Sequence, residues 1–197
     1  RDFSAVGVVF GKKLHNELGV PVGLIQSTWG GTHAESWTSM EVMKDDTLYS
    51  DVLQQFALKN VKRNKDYCKV PSTLWNGMIA PIAGYTVKGN IWYQGESNVG
   101  KWQEYSSLLT ALMKDWRKLF QNDKLPFYIV ELADFLAPDD PGRASWAALR
   151  AEQAKAAQSV DHATLIKNSD TGEWNDIHPL DKKTAGTRLV EAVLSAE

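Results

Sequence analysis

Asp176 and His178 stand two residues apart in the run Asn175-Asp176-Ile177-His178-Pro179, and they are the residue types of a general base and its orienting carboxylate. A histidine accepts a proton near neutral pH because its ordinary pKa is about 6.5, and a neighbouring aspartate fixes its tautomer and stabilises the imidazolium. The run is rich in turn formers, which places it on a loop. Such a pair needs a nucleophile, and no serine of this chain has the right context. Ser27, in Ile25-Gln26-Ser27-Thr28, comes before a glycine pair rather than within one. Ser97, in Gly95-Glu96-Ser97-Asn98-Val99, lacks the closing glycine of a G-x-S-x-G elbow. Both read as hydroxyls that cap turns.

Two further loops carry groups that can hold developing negative charge. Gly30-Gly31, in Thr28-Trp29-Gly30-Gly31-Thr32, lets backbone N–H groups approach a ligand closely. Gln94, directly after an apolar run, supplies a side-chain amide. Glu35 and Trp37 follow the glycine loop and are candidates to line a ligand site, with Glu96 beside Gln94. Asp170 is a reserve candidate for the orienting acid, and Gly172 and Glu173 shape the approach to His178. His15, His33 and His162 read as surface or structural residues.

The elements that must position these groups alternate between helical and strand periodicity, the order of an α/β protein. Ser4 caps a helix whose apolar residues Val8, Phe10, Leu14 and Leu18 lead to Gly19, the expected stop. Val22–Ile25 is expected to be a buried strand. Residues from about 46 to 64 have a helical pattern, and Val87–Tyr93 is a second strand. Trp102, Tyr105, Leu109, Leu112, Trp116 and Leu119 recur at helical spacing and predict a long core-facing helix. Phe127–Leu132 is a third strand, Arg143–Gln158 a helix, His162–Ile166 a fourth strand, and Leu180–Ser195 a closing helix. Polar sequence gathers after the strands, where open α/β sheets bind ligands.

Composition limits the remaining possibilities. The chain has 197 residues and a net charge of −2, enough for one domain with a substantial core but without the basic excess of a nucleic-acid footprint. Lys62-Arg63-Asn64-Lys65 is too short and mixed to alter that reading and fits a solvated helix end. Cys68 is the single cysteine, so neither an internal disulfide nor a multi-cysteine metal site can form. No apolar run approaches the roughly 20 residues of a membrane span, and the first residues do not form a signal peptide. The opening at Arg1 suggests a processed, truncated or nicked product.

Several ordered phrases together resemble one family: Gly19-Val20-Pro21-Val22-Gly23-Leu24-Ile25, Trp29-Gly30-Gly31-Thr32, Trp75-Asn76-Gly77-Met78-Ile79-Ala80-Pro81, Trp92-Tyr93-Gln94-Gly95-Glu96-Ser97-Asn98 and Asp176-Ile177-His178-Pro179. They resemble the sialate O-acetylesterases among the SGNH (GDSL-like) carbohydrate esterases, nearly end to end. The resemblance implies a flavodoxin-like α/β/α sandwich over residues 1–197, the C-terminal portion of the hydrolase domain. It also implies a serine esterase that removes acetyl groups from sugar hydroxyls of sialate, xylan or related glycans, without metal or organic cofactor. His178 is then the base, Asp176 its orienter, and Gly30 and Gln94 the oxyanion donors. Gly31, Glu35, Trp37 and Glu96 are the expected substrate contacts. Relatives of this kind are secreted, periplasmic or lysosomal.

The family's Gly-Gln-Ser-Asn nucleophile block is missing here. In the flavodoxin-like strand order 2-1-3-4-5 the first strand lies between two others, so its absence leaves a gap in the sheet. The expectation is that a second polypeptide, the N-terminal part of the same precursor, supplies that strand and the serine. The alternatives are an inactive carbohydrate-binding relative and an α/β-hydrolase that uses Ser97.

Overall fold

The computed structural model describes residues 3–45 and 67–196. Helix α1 (Ala5–Leu18) begins where the Ser4 hydroxyl accepts from Gly7 N–H, and it ends at Gly19, whose φ of 66° is the left-handed cap expected from the sequence. Its buried face is Val6, Phe10 and Leu14. Val8 and Leu18 point outward instead, because the face is set by the sheet beneath it. A short helix α2 (Met40–Asp45) follows the glycine loop.

The remaining elements are strand β1 (Asn90–Trp92), helix α3 (Trp102–Leu119), strand β2 (Phe127–Val130), helix α4 (Arg143–Ser159), strand β3 (Ala163–Ile166) and helix α5 (Lys182–Leu194). Each lies within the element expected from periodicity or within two residues of it. Asp181 caps α5 by accepting from Thr184 N–H. The residues expected to form a helix from about 46 to 64, with the basic run that ends them, lie outside the described residues.

The strands form a parallel sheet in the order β1-β2-β3, with Asn90 opposite Phe127 and Phe127 opposite Ala163. Alternation along β2 divides the core into two layers. Tyr128 and Val130 face α1 and α5, packing with Phe10, Leu14, Leu189 and Val190. Phe127 and Ile129 face α3 and α4, packing with Leu109, Leu112, Trp116 and Leu149. This is helix–sheet–helix layering, and the chain is a mixed α/β protein.

One expected strand is absent from the ladder. Among the described residues Val22–Ile25 pairs with no strand, and Ile25 is 51% exposed where a buried residue was expected. The segment is held from its sides: Gln26 Oε1 accepts from Ser4 N–H, Leu24 packs on Gly11, and the Ser27 hydroxyl donates to Met78 O. Among the described residues the outer edge of β1 likewise has no partner, and Ile91 on that edge is 38% exposed. Among the described residues β1 is therefore an edge strand, with one side of its backbone outside the ladder.

Candidate active site

The loops that leave the C-terminal ends of the three strands are joined by two buried polar networks. The first fastens the glycine loop to the turn after β1. Asn98, 3% exposed, is its hub: its side-chain oxygen accepts from Ala34 N–H at 3.0 Å and from Gln94 Nε2 at 2.8 Å, and its Nδ2 donates to Glu35 Oε2 at 2.9 Å. Gln94 Nε2 also donates to Thr32 O at 3.1 Å, and its Oε1 accepts from the Tyr105 hydroxyl at 2.9 Å. Gln153, fully buried on α4, donates to Gln94 O and accepts from Leu132 N–H.

The second network fixes the loop after β3. Glu131, at the end of β2, accepts from Asn168 N–H at 3.0 Å and from Ser169 N–H at 3.1 Å through one oxygen. Asn168 Nδ2 donates to the Tyr93 hydroxyl at 2.9 Å, which links this loop to the turn after β1. Burial, reinforced by the charge of Glu96, pushes the Tyr93 hydroxyl up to about 12, so it stays protonated. Backbone bonds from Asp134 N–H to Ser169 O and from Leu136 N–H to Trp174 O, each 3.0 Å, complete the attachment.

His178 sits on the far side of this loop. Its side chain is 86% exposed, and its Nδ1 lies 3.8 Å from Asp176 Oδ1, beyond hydrogen-bonding distance. That oxygen instead accepts from the His178 backbone N–H at 2.7 Å, closing a local turn. The expected base and its expected orienter are thus adjacent but not hydrogen-bonded side chain to side chain. Glu96 lies within electrostatic reach of both His178 and Lys182. Burial raises its carboxyl above the ordinary range, against the pull of its own and Gly95's N–H groups and of the neighbouring His178 and Lys182 side chains. Burial also lowers Lys182.

The other expected site residues divide by exposure. Gly30 and Gly31 lie on the surface, and among the described residues their N–H groups donate to nothing. Gln94 spends both amide protons on Thr32 and Asn98. Glu35, 5% exposed, is tied to Asn98, so it holds loops together rather than facing a ligand. Trp37, 4% exposed, donates to the Thr32 hydroxyl and meets Trp92 edge-on at 6.5 Å, which makes it a core residue with no face free for a sugar. Asp170, the reserve acid, is paired with both terminal nitrogens of Arg188 at 2.6 Å. Ser97 lies in the 3₁₀ turn Glu96–Lys101, away from the end of β1 at Trp92, so there is no strand-to-helix elbow for an α/β-hydrolase nucleophile.

The sequence reading missed Asn98, Tyr93, Tyr105, Glu131 and Asn168. Asn98 lies in the run Gln94-Gly95-Glu96-Ser97-Asn98, where nothing local distinguishes it from a turn residue. Glu131 carried a usable signal, a carboxylate that closes an otherwise apolar strand.

The described residues thus form a parallel α/β sheet of the layered α/β class, with the glycine, amide and histidine loops following its strands. Residues 4–195 match the family of carbohydrate esterases described as sialic acid-specific acetylesterases, and the chain belongs to that family. It is 30% identical to mouse sialate O-acetylesterase, covering 94% of this chain and 41% of that protein. The human sialate O-acetylesterase is 32% identical over 94% of this chain and 38% of its own length. A carbohydrate acetylesterase from Xanthomonas citri superposes with a TM-score of 0.82 at 33% identity, covering 98% of this chain and 41% of that structure. The chain therefore spans about two-fifths of the length of these relatives.

Proposed function

We propose that this chain is the C-terminal part of a serine carbohydrate O-acetylesterase domain, and that the attacking serine enters on a strand supplied from outside these residues. The observation that carries this reading is that two segments lack ladder partners among the described residues: the outer edge of β1 and the run through Val22–Ile25. A flavodoxin-like order places the nucleophile-bearing first strand between them. The donor of that strand is read as the N-terminal part of the same precursor.

In this mechanism His178 takes the serine proton as the hydroxyl attacks the acetyl carbonyl, with Asp176 turning to receive Nδ1–H. Gly30 N–H is the free donor to the oxyanion. Gln94 Nε2 joins it by exchanging its longer bond, to Thr32 O, for the developing charge. The sugar alcohol leaves with the proton from His178, and water then releases acetate by the reverse sequence of proton transfers. No step calls for a metal or organic cofactor. The substrate class is an acetylated glycan such as sialate or xylan, and the family resemblance suggests a secreted, periplasmic or lysosomal setting. Among the described residues no helix is long and apolar enough to cross a membrane.

The test is acetate release from a panel of acetylated glycans, with a fluorophosphonate probe to locate the serine. Acetate release abolished by His178→Ala, and labelling of a peptide outside residues 1–197, are the expected results. Unchanged turnover in His178→Ala refutes the assignment of the base, and labelling of Ser97 refutes the external serine. Glycan binding without labelling points to an inactive, carbohydrate-binding relative.

A further inference from the structure

Trp174 is 66% exposed, four residues before His178, and its indole makes no hydrogen bond or ring contact among the described residues. Large indoles are usually well covered, because their area dominates burial energetics. This one is displayed on a backbone that is firmly held. Trp174 O accepts from Leu136 N–H at 3.0 Å, and Asp176 N–H donates back to Glu173 O. Three residues after Trp174, the partly buried Ile177 packs against the core, and Pro179 is buried. The loop thus directs Ile177 and Pro179 inward while Trp174 and His178 stand outward on the same short turn.

We propose that Trp174 is a stacking platform for a pyranose ring of the glycan and fixes which acetylated sugar reaches His178. The proposal rests on the esterase reading above and deepens it by assigning a specificity-determining residue. The surroundings of the indole suit a sugar, which has both apolar and polar faces. Asn175 and Asp176 flank it with hydrogen-bonding groups, while the exposed Leu180, whose N–H donates to Glu173 Oε1 at 3.3 Å, adds apolar surface on the same turn. A pyranose has the matching form, with C–H groups on one face and hydroxyls around its rim. Trp37, expected from the sequence to stack the sugar, is buried; among the described residues two indoles are more than half exposed, Trp29 beside Gly30 and Trp174, and Trp174 is the one on the turn that carries His178.

The experiment compares wild type, Trp174→Ala and Trp174→Phe in the complete protein, on O-acetylated sialyllactose and acetylated xylo-oligosaccharides and on p-nitrophenyl acetate. The expected result is that Trp174→Ala raises KM for at least one glycan about tenfold. Its kcat on that glycan and its kcat/KM on p-nitrophenyl acetate stay within about twofold, and Trp174→Phe recovers most of the loss. Equal losses on glycan and small ester overturn the proposal, since they mark a residue that only shapes the loop. Unchanged KM for every glycan overturns it too. If the wild type hydrolyses none of these esters, the esterase reading fails, and saturation-transfer NMR with sialyllactose and xylo-oligosaccharides tests the platform separately. Transfer to ring C–H protons that disappears in Trp174→Ala supports it, and transfer that persists, or no binding to wild type, overturns it.

Discussion

Gly172→Ala is the most revealing single perturbation of the His178 loop. A Cβ built on Gly172 lies 2.0 Å from Asp134 O and 2.4 Å from Asp134 N, where real Cβ contacts are not found below 3.0 Å. Both obstructing atoms are backbone, so no side chain can swing aside. The two loops must separate by about 1 Å to reach even that limit. The bonds directly in the way are Asp134 N–H to Ser169 O and Leu136 N–H to Trp174 O, each 3.0 Å long, and a displacement of this size breaks them. Losing two partly buried backbone bonds predicts a destabilisation of about 2–4 kcal/mol. Because the same loop carries His178, a shift of about 1 Å also predicts a fall in kcat on the order of a hundredfold. Urea unfolding gives the first number and acetate release the second. A Gly172→Ala protein with wild-type stability and wild-type turnover would refute the claim that this contact sets the position of His178, the proposed base.

Asn98→Ala removes three bonds at once and leaves the buried Glu35 carboxylate without its donor, so urea unfolding is expected to show a loss of about 3–5 kcal/mol. Asn98→Asp should be no better, since it sets a second carboxylate against Glu35. His178→Ala should change unfolding free energy by less than about 0.5 kcal/mol, because the side chain is exposed, while acetate release is lost. Glu96 gives a pH test. Burial raises its folded-state pKa, so the stability it contributes is full below the ordinary carboxylate range and is lost as pH rises through the raised value. Burial likewise raises Asp115, which acts in the same direction. Glu96→Gln should therefore match the wild-type Tm near about pH 4, where both side chains are neutral, and exceed it near about pH 7. A Tm difference that does not vary with pH would contradict the assignment.

Periodicity made the helices legible. The stripe from Trp102 to Leu119 and the Ser4 and Gly19 stops around α1 are local signals, and they agree with the structure because backbone capping and a helical apolar face are set within a few turns of chain. The apolar runs of β2 and β3 were readable for the same reason, and the residues at the strand ends marked the loops that carry chemistry. The same local logic misread Val22–Ile25: its residues suit a strand, but a strand exists only where a neighbour completes its hydrogen bonds, and that neighbour is remote in sequence or outside it.

Residue types and spacing pointed to His178 and Asp176, and the family resemblance added Gly30 and Gln94 as expected oxyanion donors. Burial divided the rest. Trp37 and Glu35 sit only a few residues from Gly30, and no local pattern distinguishes an indole that lines a site from one that packs against Trp92. Asn98 became a hub because packing brings Ala34, Glu35 and Gln94 around it, and Glu131 became an anchor because β2 ends beside the loop that leaves β3. The chain alone thus set the family, the helices and the groups able to carry chemistry. Which of those groups face solvent, which hold loops together, and where the sheet stays open depend on contacts between residues far apart in sequence, and these form only when the layers close on one another.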